Sequence, residues 1–543
     1  MSVLAYADDL VLVARNKSTL QKLLDSASTS ASTVGLEFRP NKCASLSFVN
    51  ERRQPQRLEL NEFIVQTRPI PAMSHDEHYR YLGVPIGMIH RIDDIPSIVP
   101  QVIEDIHAIT NSLLAPWQKL DAIRSFVEPC LTYALRAGNP SKQSLEPLRT
   151  VLISSHRTIY DLPKRSTQAY FFASKHVGGL AFQDPTKEDD VQAIVQAIRI
   201  LSSSDPTVAV SAWNELRSVV SCATSSNPTP ALLTEFLSGS TSNRCSNLNY
   251  AASSLWSRCC NACRRLKVSF HFSETDLISI SADDSAKIHA KTASQFLHRL
   301  IQQRAANTLM SLRDQGKVAQ SLATDLYANG STWTHTGVNM RFKDWRFIHK
   351  ARLNLLPTNS VKARWCNTSP TCRHCVETEA LPHILCHCRP EMVSIRARHN
   401  KIVHRISHAI RFGQVTTDHA IASAKSRLRP DIIVEEDNQV LIIDVTCPFD
   451  NGPTALEEAA AAKINKYEVL KEHFTEQNRV CHILPFVIGA LGSWYPPNEA
   501  VLQRLGMTRS YRSLFRKLCC SHVIQGSCDI FRLHFGWDQN ASE

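Results

Sequence analysis

The pattern of apolar and polar residues predicts a β-hairpin at the beginning of the chain. Residues 3–6 and 10–13 are short apolar runs of the kind that form strands, and Asp8 and Asp9 lie between them. Such strands belong in a protein core, where two adjacent carboxylates need partners. The pattern therefore places an acidic pair that requires an explanation at the tip of a tight hairpin.

A helix and a further strand are predicted after the hairpin. Ser18 is a suitable N-cap, the apolar residues from Leu20 to Ala31 recur with a period of about 3.6, and Gly35 ends the pattern. Residues 44–49 then alternate as a half-buried strand does.

A second α/β pattern follows residue 390. The isoleucines of 395–410 predict one buried face of a helix, and its other face carries three cations, Arg398, Lys401 and Arg405. Two apolar strands come next, 432–434 and 440–445. Asp431 opens the first strand and Asp444 lies at the end of the second, so two carboxylates are predicted near one edge of a sheet.

A helix after the second strand is predicted to bring lysines to the same place. Thr454 and Glu457 form a capping-box pattern, and the helix that they begin places Lys463 and Tyr467 one turn apart, with Lys466 beside them. The middle of the chain is less informative. Residues 201–249 are rich in Ser, Thr, Pro and Asn, which predicts loops between helical pieces, and residues 286–312 predict a helix.

Length and composition describe a multidomain protein of mixed α/β and α class. The 543 residues suffice for several cores, and 43% hydrophobic with 20% charged residues is ordinary for a globular chain. No apolar run approaches the ~20 residues of a membrane helix, and no basic region precedes the N-terminal run, which argues against a signal peptide. We therefore expect an intracellular protein, without a membrane partner, whose 17 cysteines are thiols or metal ligands.

A net charge of +11 favours a polyanionic partner, and one segment concentrates the signal. Residues 341–352 interleave aromatic rings with cations, a combination suited to base stacking and phosphate contacts. The candidate contact residues of this segment are Arg341, Lys343, Trp345, Arg346, Lys350 and Arg352. A solvated amphipathic helix is the alternative interpretation of the same pattern.

Four zinc-type ligands follow directly. Cys372, Cys375, His383 and Cys388 lie within seventeen residues, and the Cys-x2-Cys turn is a common way to supply two thiolates to a tetrahedral Zn²⁺. Cys386 and His387 are close enough in sequence to replace one of the four. So short a segment has no core of its own, so zinc would fold it into a nucleic-acid-contacting knuckle.

The acidic pairs suit metal-assisted phosphate chemistry. Carboxylates on rigid strands can hold divalent ions such as Mg²⁺, as expected of Asp8 with its neighbour Asp9, and of Asp431 with Asp444. At the second pair, Lys463 or Lys466 would add positive charge where negative charge develops on phosphorus. Hydrolysis of a phosphodiester is the reaction predicted there.

The N-terminal motifs resemble those of a reverse transcriptase. The segment 6–9 is similar to its metal-binding hairpin, residues 35–43 to the motif that follows, residues 81–83 to the primer-grip turn, and residues 113–135 to the thumb of non-LTR retrotransposon polymerases. The resemblance implies that Lys42 protonates the pyrophosphate leaving group. It also implies a further palm aspartate and fingers upstream of Met1, without which we expect no primer extension.

The C-terminal motifs resemble a PD-(D/E)xK restriction-like nuclease. Thr446 stands where the common form has its lysine, and the restriction-like endonuclease of one non-LTR retrotransposon class shows the same displacement of lysine to the following helix. In order, the motifs resemble the C-terminal portion of a site-specific non-LTR retrotransposon polyprotein of the ribosomal-DNA-inserting type. In that family the nuclease nicks target DNA, and the freed end primes reverse transcription of element RNA.

The resemblance divides the chain into six predicted segments: part of a reverse-transcriptase palm (1–90), a helical thumb (91–160), a mostly helical linker (161–340), the basic segment with the knuckle (341–390), the nuclease (391–500) and a C-terminal extension (501–543). It implies Mg²⁺ and Zn²⁺ as cofactors, target DNA and element RNA as partners, and a nuclear location. The alternative function is that of a non-catalytic nucleic-acid-binding remnant of a decayed element.

Overall fold

The computed structural model describes residues 2–49, 57–82, 84–87, 98–138, 140–240, 254–272, 278–283, 286–326, 330, 333–423 and 426–537. Its many helices and small sheets confirm the mixed, multidomain class. Within the described ranges, no helix is both long and apolar enough to cross a membrane.

The N-terminal region consists of one helix and four two-stranded antiparallel ladders among its described residues. The ladders pair β1 (Ser2–Tyr6) with β2 (Asp9–Val13), β3 (Phe48–Val49) with β4 (Arg57–Leu58), β5 (Phe63–Val65) with β6 (Arg68–Ile70), and β7 (His78–Tyr81) with β8 (Val84–Gly87). Helix α1 (Lys17–Thr33) packs Leu20 and Leu24 against the buried Phe63 and Val65.

Two local predictions for this region were wrong. The side chain of Asn16, not of Ser18, caps α1, because the Asn16 amide oxygen accepts from the Thr19 N–H at 2.9 Å. A strand over 44–49 forms only at Phe48–Val49, which pair with β4, whereas Ser45 makes a single parallel bridge to Ala72 that does not extend into a ladder.

Helices dominate the next part of the chain. They are α2 (Ile98–Asn111), α3 (Pro116–Ala122), a π-helical turn (Ile123–Val127), α4 (Glu128–Ala137), α5 (Lys142–Ile159) and α6 (Ala169–Phe172). Their apolar faces form one cluster, which we call the bundle core, and it continues into later parts of the chain through Ala305, Trp345 and Leu353. The predicted thumb is therefore packed against segments far along the sequence.

The predicted linker contains its own core and a small sheet. Its elements are α7 (Pro185–Leu201), α8 (Pro206–Thr224), α9 (Pro230–Leu237), α10 (Leu255–Leu266), β9 (Val268–Phe272), β10 (Ile278–Ala282), β11 (Ile288–His289), α11 (Ala293–Met310) and α12 (Lys317–Ala323). The three strands are antiparallel in the order β11-β10-β9. The helix predicted over 286–312 begins only at Ala293, because Ile288 and His289 pair with β10 instead.

The last third of the chain builds an α/β layer structure. Its elements are α13 (Phe342–Arg352), α14 (Asn359–Lys362), α15 (Leu381–Cys386), α16 (Met392–Ala409), β12 (Gln414–Thr417), β13 (Ile421–Ser423), β14 (Ser426–Leu428), β15 (Ile432–Glu436), β16 (Gln439–Thr446), α17 (Ala455–Glu476), β17 (Val480–Val487), α18 (Asn498–Arg504) and α19 (Arg509–His534). The main sheet has the order β12-β15-β16-β17, and only β16 and β17 are parallel.

Alternation along the central strands sorts their side chains between two helical layers. Ile432 and Ile443 face the large cluster formed with α16 and α19, which we call the C-terminal core. Ile433 and Ile442 face α17 on the other side of the sheet. Asp444 is two residues after Ile442 on the same strand, so its side chain lies on the same face of the sheet and points toward α17.

The C-terminal segment is an integral part of this structure. Helix α19 lies within the predicted extension 501–543, yet Phe515, Val523 and Phe531 are buried in the C-terminal core. The nuclease boundary predicted at residue 500 therefore does not coincide with an edge of this core.

Candidate functional site

Asp431 and Asp444 lie on neighbouring strands at one end of the sheet. Ile432 is paired with Ile443 in the antiparallel ladder of β15 and β16. The adjacent residues, Asp431 and Asp444, are therefore opposite each other on the two sides of the ladder. The Val445 N–H donates to Asp431 Oδ2 at 2.7 Å. The carboxylate that opens β15 is thus fixed directly against the strand that carries Asp444.

Helix α17 brings a lysine and a tyrosine to Asp444. Lys463 Nζ lies 2.5 Å from Asp444 Oδ2, and the Tyr467 hydroxyl donates to Asp444 Oδ1 at 2.5 Å. The Asp444 side chain is only 3% exposed, so this ion pair is shielded from solvent on its acidic side. Each carboxylate oxygen of Asp444 therefore has its own partner on α17.

Lys466 reaches the same group indirectly. Its Nζ donates to the Tyr467 hydroxyl oxygen at 2.8 Å and lies 4.5 Å from the centre of the Tyr467 ring. Burial and the charge of Asp444 raise the pKa of the Tyr467 hydroxyl well above its usual range, so Tyr467 keeps its proton at neutral pH. Of the two candidate lysines, Lys463 is the one in contact with a site carboxylate.

The helix that carries these residues begins where the sequence predicts, but the side chain of its N-cap residue makes a different contact from the predicted one. Thr454 is the N-cap residue, yet its side chain accepts no backbone hydrogen bond, and its hydroxyl donates to Glu458 Oε1 at 2.7 Å. The predicted capping box with Glu457 does not form.

His399 is a site residue that sequence reasoning missed. Its Nε2 lies 3.1 Å from Asp431 Oδ2 and 3.1 Å from the Val445 carbonyl oxygen. Burial lowers the pKa of His399, but the hydrogen bond and charge of Asp431 outweigh it and hold this pKa above its usual value. The signal was present, because His399 is four residues after Ile395 and three before Ile402, inside the apolar stripe of α16.

The donor set of this site fits a hard divalent cation. Oxygen ligands on rigid strands are what Mg²⁺ prefers, and Asp431 and Asp444 would supply them. The Asp431 side chain is 21% exposed and that of Asp444 only 3%, so the site is accessible to solvent at Asp431.

A second candidate site brings together the four predicted zinc ligands. The ligand atoms of Cys372, Cys375, His383 and Cys388 all lie within 4.8 Å of one another. Cys375 Sγ is 3.2 Å from His383 Nε2, and the His374 N–H points to Cys372 Sγ at 3.5 Å. Three sulfurs and one imidazole nitrogen at such separations fit a tetrahedral Zn²⁺.

Cys386, one of the two alternative ligands, points away from this group. Cys386 is in the last turn of α15 and directs its Sγ to the Cys447 carbonyl oxygen at 3.6 Å, toward the sheet. Its burial raises the pKa of the thiol to about 11. Among the residues that the structure describes, neither Cys386 nor His387 joins a group of potential metal ligands.

The basic, aromatic segment forms a helix, but much of it is inside the protein. Trp345 and Arg352 are 0% and 3% exposed, so the prediction that they contact nucleic acid is wrong. Trp345 stacks on Tyr160 with ring centres 5.1 Å apart, and Arg352 Nε donates to the Leu491 carbonyl. Neither the nucleic-acid interpretation nor the solvated-helix interpretation anticipated this burial.

Most other cations of that segment are already paired with acids. Arg341 and Lys343 both bind Asp529, and Lys350 binds Asp161. Arg346 is exposed.

Arg398 was predicted on the exposed face of α16, and that placement was wrong. It is 2% exposed, and its Nη1 donates to Ser527 Oγ at 2.8 Å. Arg405 is half-buried against His522, and Lys401 is exposed. Arg341, Arg346 and Lys401 are therefore the predicted nucleic-acid contacts that are exposed, and Arg341 among them is paired with Asp344 and Asp529.

The N-terminal acidic pair has a different environment. The hairpin forms as predicted, with Tyr6 paired to Asp9 and Ala7 in the left-handed region at φ 51°. Asp8 is exposed and Asp9 half-exposed, and among the described residues neither joins two further potential metal ligands. Lys42 ends a short 3₁₀ turn (Pro40–Lys42) and is also exposed.

Comparison with known proteins relates the chain to two groups of sequences. Residues 1–86 match the reverse transcriptase (RNA-dependent DNA polymerase) family. A retrovirus-related Pol polyprotein from the type-1 retrotransposable element R2 of Popillia japonica is 24% identical over 97% of this chain and 96% of its own length.

Two further relatives carry similar names. The Pol polyprotein of the type-2 element R2DM of Drosophila melanogaster is 29% identical over 32% of this chain and 17% of its own length, and the type-1 R2 polyprotein of Nasonia vitripennis is 26% identical over 38% and 20%. Homology to reverse transcriptases implies binding of nucleic acid. The chain is thus homologous to the Pol polyproteins of R2 non-LTR retrotransposons, and its residues 1–86 are similar to reverse transcriptases.

Proposed function

We propose that the region around Asp431 and Asp444 is a Mg²⁺-dependent DNA endonuclease, joined in one chain to the reverse-transcriptase segment. One observation carries the proposal: both strand carboxylates, Lys463 and the Lys466–Tyr467 pair meet at one end of the central sheet. Closeness in sequence does not explain this arrangement, because Asp431 and Lys463 belong to separate secondary-structure elements.

Each residue has a distinct task in this proposal. Mg²⁺, held by Asp431 and Asp444, would supply Lewis acidity at the scissile phosphate. Lys463 places its positive charge beside Asp444, where it stabilises negative charge developing on the phosphate. Tyr467 fixes the orientation of Asp444, and His399 fixes that of Asp431, so that the carboxylates need no rearrangement when DNA binds.

The test is a nicking assay on supercoiled plasmid with Mg²⁺. Asp444→Asn keeps the shape of the side chain and removes its charge, so we expect nicking to fall by at least ~10²-fold. Asp437→Asn is the matched control, because Asp437 is exposed in the turn between the same two strands at φ 47°, a conformation that asparagine accepts. Equal nicking by the wild type and Asp444→Asn would refute the assignment.

The order of segments supports a role in target-primed reverse transcription. The endonuclease would nick target DNA, and a reverse transcriptase would copy element RNA from the freed 3′-hydroxyl, which implies action in the nucleus. We also propose that residues 1–543 alone do not extend a primer, because within the described chain Asp8 and Asp9 do not cluster with a further ligand. Nucleotide addition to an annealed primer by the purified chain would contradict this.

We further propose that Cys372, Cys375, His383 and Cys388 hold Zn²⁺ and that the knuckle contributes to nucleic-acid binding. Burial raises the pKa of the Cys388 thiol to about 12, and that of Cys372 above its usual value, so it is metal binding that would convert these thiols to thiolates at neutral pH. Metal analysis should find one zinc per chain in the wild type and none in Cys375→Ser, whereas Cys366→Ser, at an exposed cysteine outside the group, should retain it.

A non-catalytic nucleic-acid-binding protein is the competing function. Its supporting observation is the low exposure of Asp444, which Lys463 and Tyr467 engage on both oxygens. DNA binding without nicking in the plasmid assay would favour it.

A further inference from the structure

The C-terminal helix ends inside the proposed zinc site. His534 is the last residue of α19 and is 0% exposed. Its Nε2 lies 3.7 Å from Cys372 Sγ, and its Nδ1 lies 3.9 Å from Cys388 Sγ. One imidazole ring thus faces two of the four proposed ligands, although 146 residues separate it from the nearer one in sequence.

The knuckle holds this histidine from several sides. Glu379 Oε2 is 3.3 Å from Nε2, and Glu391 Oε1 is 3.5 Å from Nδ1. His374 Nε2 lies 2.7 Å from the His534 backbone carbonyl oxygen, and Arg373 packs its guanidinium 3.7 Å from the centre of the Phe535 ring. The end of α19 is therefore clamped by residues that surround the ligands.

The geometry favours an orienting role for His534 over a second metal site. Cys372, Glu379 and His534 also lie within 4.8 Å of one another. Both carboxylate oxygens of Glu379, however, are already engaged by Arg373 and by the N–H groups of Arg373 and Asn359. Side chains that donate to a metal's ligands fix their orientation and strengthen metal binding.

The body of α19 continues from the knuckle to the nuclease. Ser527 accepts from Arg398 of α16 and donates to the Ala490 carbonyl at 2.7 Å, and Phe531 packs against Phe347 with ring centres 5.6 Å apart. Arg398 also packs closely against Gly526. A Cβ added at Gly526 would lie 2.7 Å from Arg398 Cγ, so a larger residue would clash there. Helix α16 carries His399, the partner of Asp431.

We propose that His534 is a positioning residue of the zinc site through which metal loading fixes the C-terminal helix, and with it the face of α16 that supports Asp431. Sulfur bound to zinc is negatively charged and accepts a hydrogen bond more strongly than a thiol does. Zinc therefore tightens the contact between the knuckle and His534. The inference rests on the proposed zinc site.

The experiment compares hydrogen–deuterium exchange of residues 523–534 in the full chain, zinc-loaded and after removal of zinc by a chelator. In the wild type we expect chelation to accelerate exchange in the last turns of α19 by about tenfold or more. In His534→Ala we expect exchange to be already fast with zinc present, so that chelation changes little. His534→Gln keeps a donor of similar reach and should restore part of the difference.

Two controls keep the result specific. His522→Ala changes another histidine of α19, which contacts Arg405 and lies away from the knuckle, and should behave as the wild type. Zinc content should remain one per chain in His534→Ala, while zinc release to a chromogenic chelator should be about 10- to 100-fold faster. Near-ultraviolet circular dichroism of both His534 variants should match the wild type.

The outcomes separate the two proposals. Wild-type protein without zinc would refute the zinc site itself. Zinc in both proteins, together with the same response of α19 to chelation in His534→Ala as in the wild type, would leave the zinc site standing and refute the role of His534.

Discussion

Within the described part of the chain, Asp8–Asp9 and Asp431–Asp444 are two aspartate pairs beside apolar strands, and the second pair is enclosed by partners. Asp431 and Asp444 contact His399, Lys463 and Tyr467, whereas Asp8 is exposed at the tip of a hairpin whose Val3 and Tyr6 are 54% and 67% exposed. Two similar sequence patterns thus have very different surroundings. A carboxylate motif indicates chemistry only when the fold supplies the groups that orient it.

The strongest test of this contrast removes one carboxylate from each pair. Asp431→Asn should lower plasmid nicking by about 10²- to 10³-fold, because the amide would be a poor Mg²⁺ ligand and would disturb the contacts with Val445 and His399. Asp8→Asn should leave nicking unchanged. Loss of nicking in both variants would mean that the two pairs are not independent.

The two lysines of α17 sharpen the comparison within the second pair. Lys463→Met should reduce nicking about 10²-fold, since Lys463 contacts Asp444, and Lys466→Met should reduce it about tenfold, since Lys466 acts through Tyr467. Single-turnover rates at saturating Mg²⁺ would measure both. A larger loss for Lys466 would reverse the assignment of roles.

Stability measurements can compare the N-terminal hairpin with the buried helix α13. Trp345→Ala should lower the free energy of unfolding by about 3–5 kcal/mol, because the ring is fully buried against Trp117 and Tyr160. Tyr6→Ala, at an exposed position of the N-terminal hairpin, should change it by less than about 0.5 kcal/mol. Urea unfolding followed by far-ultraviolet circular dichroism would measure both free energies of unfolding. Equal losses in the two variants would contradict the burial pattern.

The smallest effects are expected at the exposed cations. Arg346→Ala and Lys401→Ala should each weaken DNA binding by a few-fold and reduce the salt dependence by about one phosphate contact. Lys471→Ala, at an exposed lysine paired with Glu468, is the control. Unchanged affinity in both test variants would place the DNA-binding surface elsewhere.

Local periodicity predicted much of the C-terminal fold. The strands around Asp431 and Asp444 and the helix after Thr454 form as expected, because each has an apolar pattern with one period and clear ends. The three cysteines and the histidine of the proposed zinc site also come together, since their spacing is short. The linker sheet of β9, β10 and β11 was not predicted, because its strands depend on pairing partners outside any short window.

The errors have a common physical origin. Trp345, Arg352 and Arg398 are of types that favour nucleic-acid surfaces, but each is buried by an element distant in sequence, namely the bundle, the loop at Leu491 and helix α19. His534 could not be connected to the knuckle for the same reason. Sequence reasoning identifies residues able to bind nucleic acid or metal, and tertiary packing decides which of them remain available.

Helix α13 belongs to two cores at once, because Trp345 lies in the bundle core while Phe347 and Ile348 lie in the C-terminal core. Eleven consecutive residues therefore separate the bundle core from the C-terminal core and pack against both. A chimera that took the region after this helix from a related sequence would keep an α13 whose buried face is shaped for a different C-terminal core. Successful chimeras should carry residues 342–352 from the parent of the downstream half together with compensating changes around Tyr160.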